Sequence, residues 1–327
     1  MTRIYLDSNI ISYLHHPEDY AEASWQKVVV DIQEYLEQAI ETEVVYSPAH
    51  LMDVRKGYLK DQQRAIEKLR FIGHITRNRR IAKYLEGGEV LVQVVDPEEF
   101  FFRDNQINAE FHDPDDKRVN YLAWVVDNPA YEKMKDKRFN LAKFRENYPA
   151  FAMLFPESEK EPTVYNLMCD FAVLMGEVID SDFPLYKPMR EQAIRETGMA
   201  GKLTGSIDPL SILWPMLAET ATGRRIIEAT HIMMNDGNKD REGIIFALFM
   251  HLDFTGFMKD KITANHGYMN LTADATHCFY SSYCDLFVTN DERTAGKSAA
   301  VYQYLGFGTQ VLSMTELGTW VQNQKSF

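Results

Sequence analysis

LTADATHCFYSSYCDLFVTNDERTAGKS, residues Leu271 to Ser298, packs three aspartates around one short apolar run. Asp274 opens a segment with helical character, and Asp285 to Thr289 reads as a strand that ends in Asn290-Asp291. The apolar residues do not alternate, as in a parallel strand covered on both faces. In open α/β sheets ligands gather at the carboxyl ends of the strands, so an acid just past such a strand is placed for function.

The start of the chain repeats the pattern: Ile4-Tyr5-Leu6 is a short apolar strand closed by Asp7-Ser8-Asn9, with Ser8 or Asn9 available to cap a following helix. An amphipathic helix is predicted from about Ser24 to Ile40, then a second strand from Glu43 to Tyr46. Ser47-Pro48 supplies a cap and a favoured first helical residue. In that helix His50 and Asp53, three apart, share a face. Glu89 to Val95 reads as a third strand and Gln310 to Leu312 as the last.

Between these lies a long tract with helical segments at 131–147, 163–179, 188–197 and 224–235, separated by prolines and glycines. It is too long for a connection, and its aromatic and Met residues, among them Trp124, Phe144, Phe151, Met168, Trp214 and Phe249, read as core. The expected fold class is α/β, a Rossmann-like three-layer parallel sheet with a large inserted α-helical subdomain. The divisions fall at 1–96, 97–263 and 264–327.

With 327 residues, 45% hydrophobic and 25% charged, the composition is that of an ordinary globular protein. A net charge of −13 counts against a protein that coats nucleic acid non-specifically, though not against a nuclease with locally grouped bases. Cys169, Cys278 and Cys284 lack the spacing of a thiolate zinc site or a disulfide framework. The longest apolar run, Gly243 to Met250, is far short of the roughly 20 residues of a membrane span. No leader is evident, so no membrane contact and a cytoplasmic location are expected.

Asp7, Asp53, Asp274 and Asp291 thus come from two strand ends and two helices around one predicted crevice. Clustered carboxylates repel, and hard divalent cations such as Mg²⁺ or Mn²⁺ relieve this while activating water and orienting a phosphodiester. Taken singly, each acid also reads as a cap, a turn residue or a solvated strand end. From Arg64 to Lys83 seven basic residues accompany one acid on a predicted helix, so Arg77, Arg79 and Arg80 form a candidate nucleic-acid patch; a solvated face is the bland alternative.

The Asp7-Ser8-Asn9 strand end, the segment Tyr46 to Asp53, Asp274-Ala275 leading a helix, and Leu286 to Asp291 follow one another in the order of a PIN domain, a family of mostly metal-dependent ribonucleases that the chain resembles over about its first 96 and last 60 residues. The resemblance implies a parallel sheet flanked by helices and RNA hydrolysis with Mg²⁺ or Mn²⁺ held by Asp7, Asp53, Asp274 and Asp291. Asn9 and Thr289 become polar supports. Two departures stand: the second acid, usually Glu in small members, is Asp53, and small members lack the helical insertion.

His277, one turn after Asp274, reads either as orienting a carboxylate or meeting a phosphate, or as a buried, satisfied histidine; His50 stands in the same relation to Asp53. Lys297-Ser298 ends like a P-loop, but Asp291 stands where that motif needs glycine, so an ATPase is not expected, and a weaker role in holding a substrate phosphate remains. Asn9 where a haloacid-dehalogenase-like phosphatase carries a second Asp argues against that chemistry. Asp285, at the far end of its strand, should lie about 15 Å from the acids at about 3.3 Å per residue.

The leading expectation is a metal-dependent nuclease acting on single-stranded RNA. The rivals are a catalytically weak scaffold that binds a protein or nucleic-acid partner, and a structure-specific DNA nuclease of the flap-endonuclease type. The insertion is the expected seat of a regulatory partner or a homo-oligomer contact.

Overall fold

A computed structural model describes residues 1–19, 23–58, 60–83, 90–110, 208–219, 241–261 and 268–325, with ten single positions between 138 and 203. Its centre is a four-stranded parallel sheet in which β1 (Thr2–Leu6) lies between β2 (Thr42–Val45) and β5 (Leu286–Val288), with β6 (Gln310–Leu312) outside β5. Ile4, Tyr5 and Leu6 pair with Leu286, Phe287 and Val288, and all six are buried. Uniform burial explains why these strands are continuous apolar runs without a period of two.

The chain moves outward from β1 to β2 in one direction and from β5 to β6 in the other, so the carboxyl ends of β1 and β5 flank a switch point, the place where open α/β sheets carry their ligand crevice. α1 (Ser8–His15) and α3 (Pro48–Tyr58) leave β1 and β2 at that edge, and α9 (Glu292–Leu305) leaves β5 there, whereas α2 (Ala23–Gln38) and α8 (Tyr268–Ser281) run back toward the next strand. α2 packs with α1 and with α10 (Met314–Lys325), and α8 packs with α3, α9 and α7 (Arg241–Phe254). The cap of α1 is Asp7 itself, one residue earlier than expected, because the helix already begins at Ser8.

The basic tract is not one helix. α4 (Gln62–Thr76) stops at Arg77 and Asn78, both left-handed at φ 51° and 57°, and the chain turns into β3 (Arg79–Lys83). Gly73 permits the reversal: Asn78 Oδ1 lies 2.7 Å from where a Cβ on Gly73 would stand, and Asn78 N–H donates to the Gly73 carbonyl. β3 pairs antiparallel with β4 (Val90–Val94), so the predicted third strand forms a separate two-stranded ribbon instead of joining the parallel sheet. A parallel bridge between Tyr46 and Arg80 ties that ribbon to the end of β2.

α5 (Pro97–Glu110) follows the ribbon, and α6 (Pro209–Ala218) is the next helix fully described. The chain divides into two compact units: residues 1–101, 188–262 and 268–327 form one, and 102–187 with 263–267 the other. The stretch 188–262, predicted within the insertion, therefore groups with the sheet. Of the other unit the described residues give the end of α5 and a bridge between Arg138 and Thr163. The predicted helices at 131–147, 163–179 and 224–235, with Trp124, Phe144, Phe151 and Met168, lie outside the described residues, save isolated positions. Phe249 is fully buried, as expected. Among the described residues no helix is long and apolar enough to cross a membrane.

Candidate functional site

Asp7 sits where β1 becomes α1, and its amide donates to the Val288 carbonyl of β5. The residue is 6% exposed, and both carboxylate oxygens are engaged. Oδ1 accepts from the Ser8 amide at 2.6 Å; Oδ2 accepts from Asn9 Nδ2 and Thr289 Oγ1, each at 2.7 Å. Asn9 and Thr289, expected as supports, thus hold Asp7 directly. Charge-assisted hydrogen bonds of this kind fix a carboxylate in one orientation.

Asp53 reaches the same place from α3. Its Oδ2 accepts from Ser8 Oγ at 2.7 Å and from His277 Nε2 at 2.9 Å. His277 Nε2 also lies 3.9 Å from Asp7 Oδ1, so one imidazole edge faces both acids. Nδ1 of His277 meets Tyr5 Oη at 2.8 Å, and Tyr5 bonds on to Ser47 Oγ at 2.6 Å. Burial by itself would lower the pKa of His277, but the hydrogen bond it donates to Asp53 and the charges of Asp7, Asp53 and Asp274 outweigh it and raise the value. His277 thus turns one ring N–H toward the two acids, and their charges account for the direction of its shift.

His50 is the buried, satisfied histidine of the two alternatives its spacing left open. It does not orient Asp53. Its Nδ1 accepts from the Ser47 amide at 3.0 Å and its Nε2–H donates to the Leu6 carbonyl at 2.7 Å, which fixes a neutral tautomer and pins the end of β1 to the start of α3. Burial, then the neighbouring charge of His277, pushes its pKa down from 6.5 to about 3.

Asp274 stands on α8 one turn before His277. No described residue donates a hydrogen bond to its carboxyl, and its pKa is pushed up from 3.8 to about 8, first by burial, then by the charges of Asp7 and Asp260. Asp291 caps α9: its Oδ1 accepts from the Arg293 and Thr294 amides at 2.8 and 2.9 Å. Asp285 is remote, as expected, accepting from the Arg3 amide at the opposite end of the sheet.

Lys297 does not face a substrate. It is fully buried, its Nζ 2.7 Å from Asp260 Oδ2 and 3.6 Å from Asp253 Oδ1, above the Phe249 ring. Arg190 completes this network with Asp253 at 2.8 Å and the Asp260 carbonyl at 2.9 Å. The Asp253–Asp260 turn is held by the Asp260 amide on Asp253 Oδ1, and Met258, left-handed at φ 46°, lies over Gly296 at 3.0 Å from a would-be Cβ. Ser298 is likewise buried, so neither P-loop-like residue is exposed to a phosphate.

The basic patch is dispersed for the same reason the helix ends early. Arg77 Nη2 donates to the Glu37 carbonyl, Arg79 pairs with Glu43 at 3.6 Å, and Arg80 is buried against Gln93 and the Phe100 ring. Residues without a sequence signal enter instead. Tyr5 and Lys68 touch the site only through partners far along the chain, and Ser8 adds a distant partner, Asp53, to its neighbour Asp7: Lys68 Nζ donates to Ser12 Oγ at 3.0 Å and to the Ser8 carbonyl at 3.4 Å. Among the described residues, no group of three or more His, Cys, Asp or Glu side chains is placed to hold a metal ion.

Comparison with known proteins adds no relative: no family model, curated protein or solved structure matches the chain.

Proposed function

We propose that the crevice at the carboxyl ends of β1 and β5 is a nucleic-acid-recognition site on a PIN-like scaffold, with single-stranded RNA as the favoured partner and weak or no turnover in the arrangement described. The carrying observation is that the acids are committed to their own chain. Asp7 uses both oxygens on Ser8, Asn9 and Thr289, and Asp53 leans on Ser8 and His277. His277 occupies with its ring N–H the oxygen of Asp53 that a divalent ion would take, so the donor set as arranged does not fit Mg²⁺ or Mn²⁺. The PIN-like assignment draws support from the order and parallel sense of β2, β1, β5 and β6 and from acids at the ends of β1 and β5.

Metal-dependent hydrolysis of RNA phosphodiesters is a second reading, favoured by Asp274. A shielded carboxyl beside Asp7 and Asp260, with no donor among the described residues, is the one acid here whose surroundings call for a cation. Incubating the purified chain with labelled single-stranded RNA in Mn²⁺ and in EDTA, with branched DNA alongside, separates the readings. RNA binding in EDTA without cutting in either condition is the expected result. Cutting of RNA in Mn²⁺ that Asp274→Asn abolishes would replace the binding reading with the hydrolytic one, and absence of both binding and cutting would refute both.

A further inference from the structure

An anionic backbone entering a crevice of carboxylates needs a cation at its mouth, and the basic residues first considered for that task are spent elsewhere. Lys297 is sealed against Asp260, Arg77 donates to the Glu37 backbone carbonyl, and Arg79 and Arg80 hold Glu43 and Gln93. Lys68 differs from all of them in reaching the first turn of α1, beside Asp7 and Asp53. Half-buried on α4, it forms no ion pair with a carboxylate of the described residues, and Ser12 Oγ and the Ser8 carbonyl take two of its three ammonium protons.

Its position is set by the residue that organises the acids. Ser8 gives its amide to Asp7, its hydroxyl to Asp53 and its carbonyl to Lys68, so cation and carboxylates meet at the first turn of α1. We propose that Lys68 is the phosphate-binding residue of the crevice, directing its remaining proton to a non-bridging oxygen of a single-stranded RNA backbone. The inference rests on the nucleic-acid reading above. Burial lowers the pKa of Lys68 while Asp53 and Asp7 oppose the shift, the state of an ammonium that has given up water and regains a strong acceptor when a phosphate arrives.

The test is fluorescence anisotropy of labelled single-stranded RNA with the full chain in EDTA, over a range of salt, for wild type, Lys68→Gln and Lys68→Arg. Lys68→Gln should weaken binding about fivefold at low salt and flatten the plot of log affinity against log salt by about 0.7, the increment for one phosphate contact on a single strand. Lys68→Arg should keep the wild-type slope. A lysine that merely joined α4 to α1 would change the fraction of protein able to bind and leave the slope alone. An unchanged slope in Lys68→Gln, with the wild type binding, overturns the assignment and leaves the nucleic-acid reading standing; failure of the wild type to bind removes both.

Discussion

Asp274→Asn should make the protein more stable, and increasingly so as pH rises. The carboxyl is shielded on α8 and feels the charges of Asp7 and Asp260, so its pKa stands at about 8 against 3.8 in an ordinary aspartate. The folded chain therefore holds this proton more tightly than the unfolded chain. Its contribution to stability is complete below pH 3.8 and drains away as pH climbs toward 8. At about 1.4 kcal/mol per unit, the whole span would amount to on the order of 6 kcal/mol. Residual exposure of Asp274 and relaxation around it reduce that, and we expect a gain of about 2 kcal/mol for the amide at about pH 9, with almost none at about pH 4. Urea denaturation midpoints of the two proteins at both pH values measure this directly. Equal midpoints at high pH, or a less stable Asn variant there, would refute the view of Asp274 as an uncompensated acid. Stabilisation of the wild type by Mn²⁺ that the variant lacks would favour the hydrolytic reading.

Two further outcomes follow from buried charge. Lys297→Met should cost about 3–5 kcal/mol in chemical denaturation, because Asp260 and Asp253 lose a fully buried partner, and adding Asp260→Asn should return part of it; an effect of under about 1 kcal/mol would mean the network is not coupled. His50 is neutral in the fold down to about pH 3, whereas the unfolded chain takes up its proton near 6.5. Between those values its contribution should decline by on the order of 4 kcal/mol. Stability against pH should therefore be flatter on the acid side in His50→Gln than in wild type, and parallel curves would contradict the tautomer assigned to His50.

The centre of the sheet was legible because burial on both faces leaves a run of apolar residues in β1 and β5, whereas the outer strands β2 and β6 are shorter apolar signals mixed with polar residues. Ser47-Pro48 likewise announced α3. The end of α4 was not readable from periodicity, since Ile66, Leu69, Ile72 and Ile75 keep helical spacing up to the turn and no glycine marks the left-handed pair at Arg77 and Asn78. β4 was recognisable as a strand, but its partner is decided by that reversal. At the site, Asp7, Asp53 and Asp274 were identifiable by position in the fold. His50 and His277 were indistinguishable in sequence, each one turn from an acid. Only their partners in the fold, the Ser47 amide and Leu6 carbonyl for one and Tyr5 Oη and Asp53 for the other, separate a backbone pin from a ring turned toward the acids. Lys68 lay hidden for the same reason, as one base among seven whose meaning depends on contacts some 60 residues away.

β1 is the seam between two distant parts of the chain, with β2 on one edge and β5 on the other. This has a consequence for synthesis. Asp7, Asp53 and Lys68 emerge from the ribosome early and can assemble with β2 and α4, but Asp274, His277 and Thr289 come more than two hundred residues later. Until then one edge of β1 has no partner and Asp53 lacks His277. A product that stops short of β5 therefore carries an open strand edge, a hazard for misassembly, where the sheet should continue.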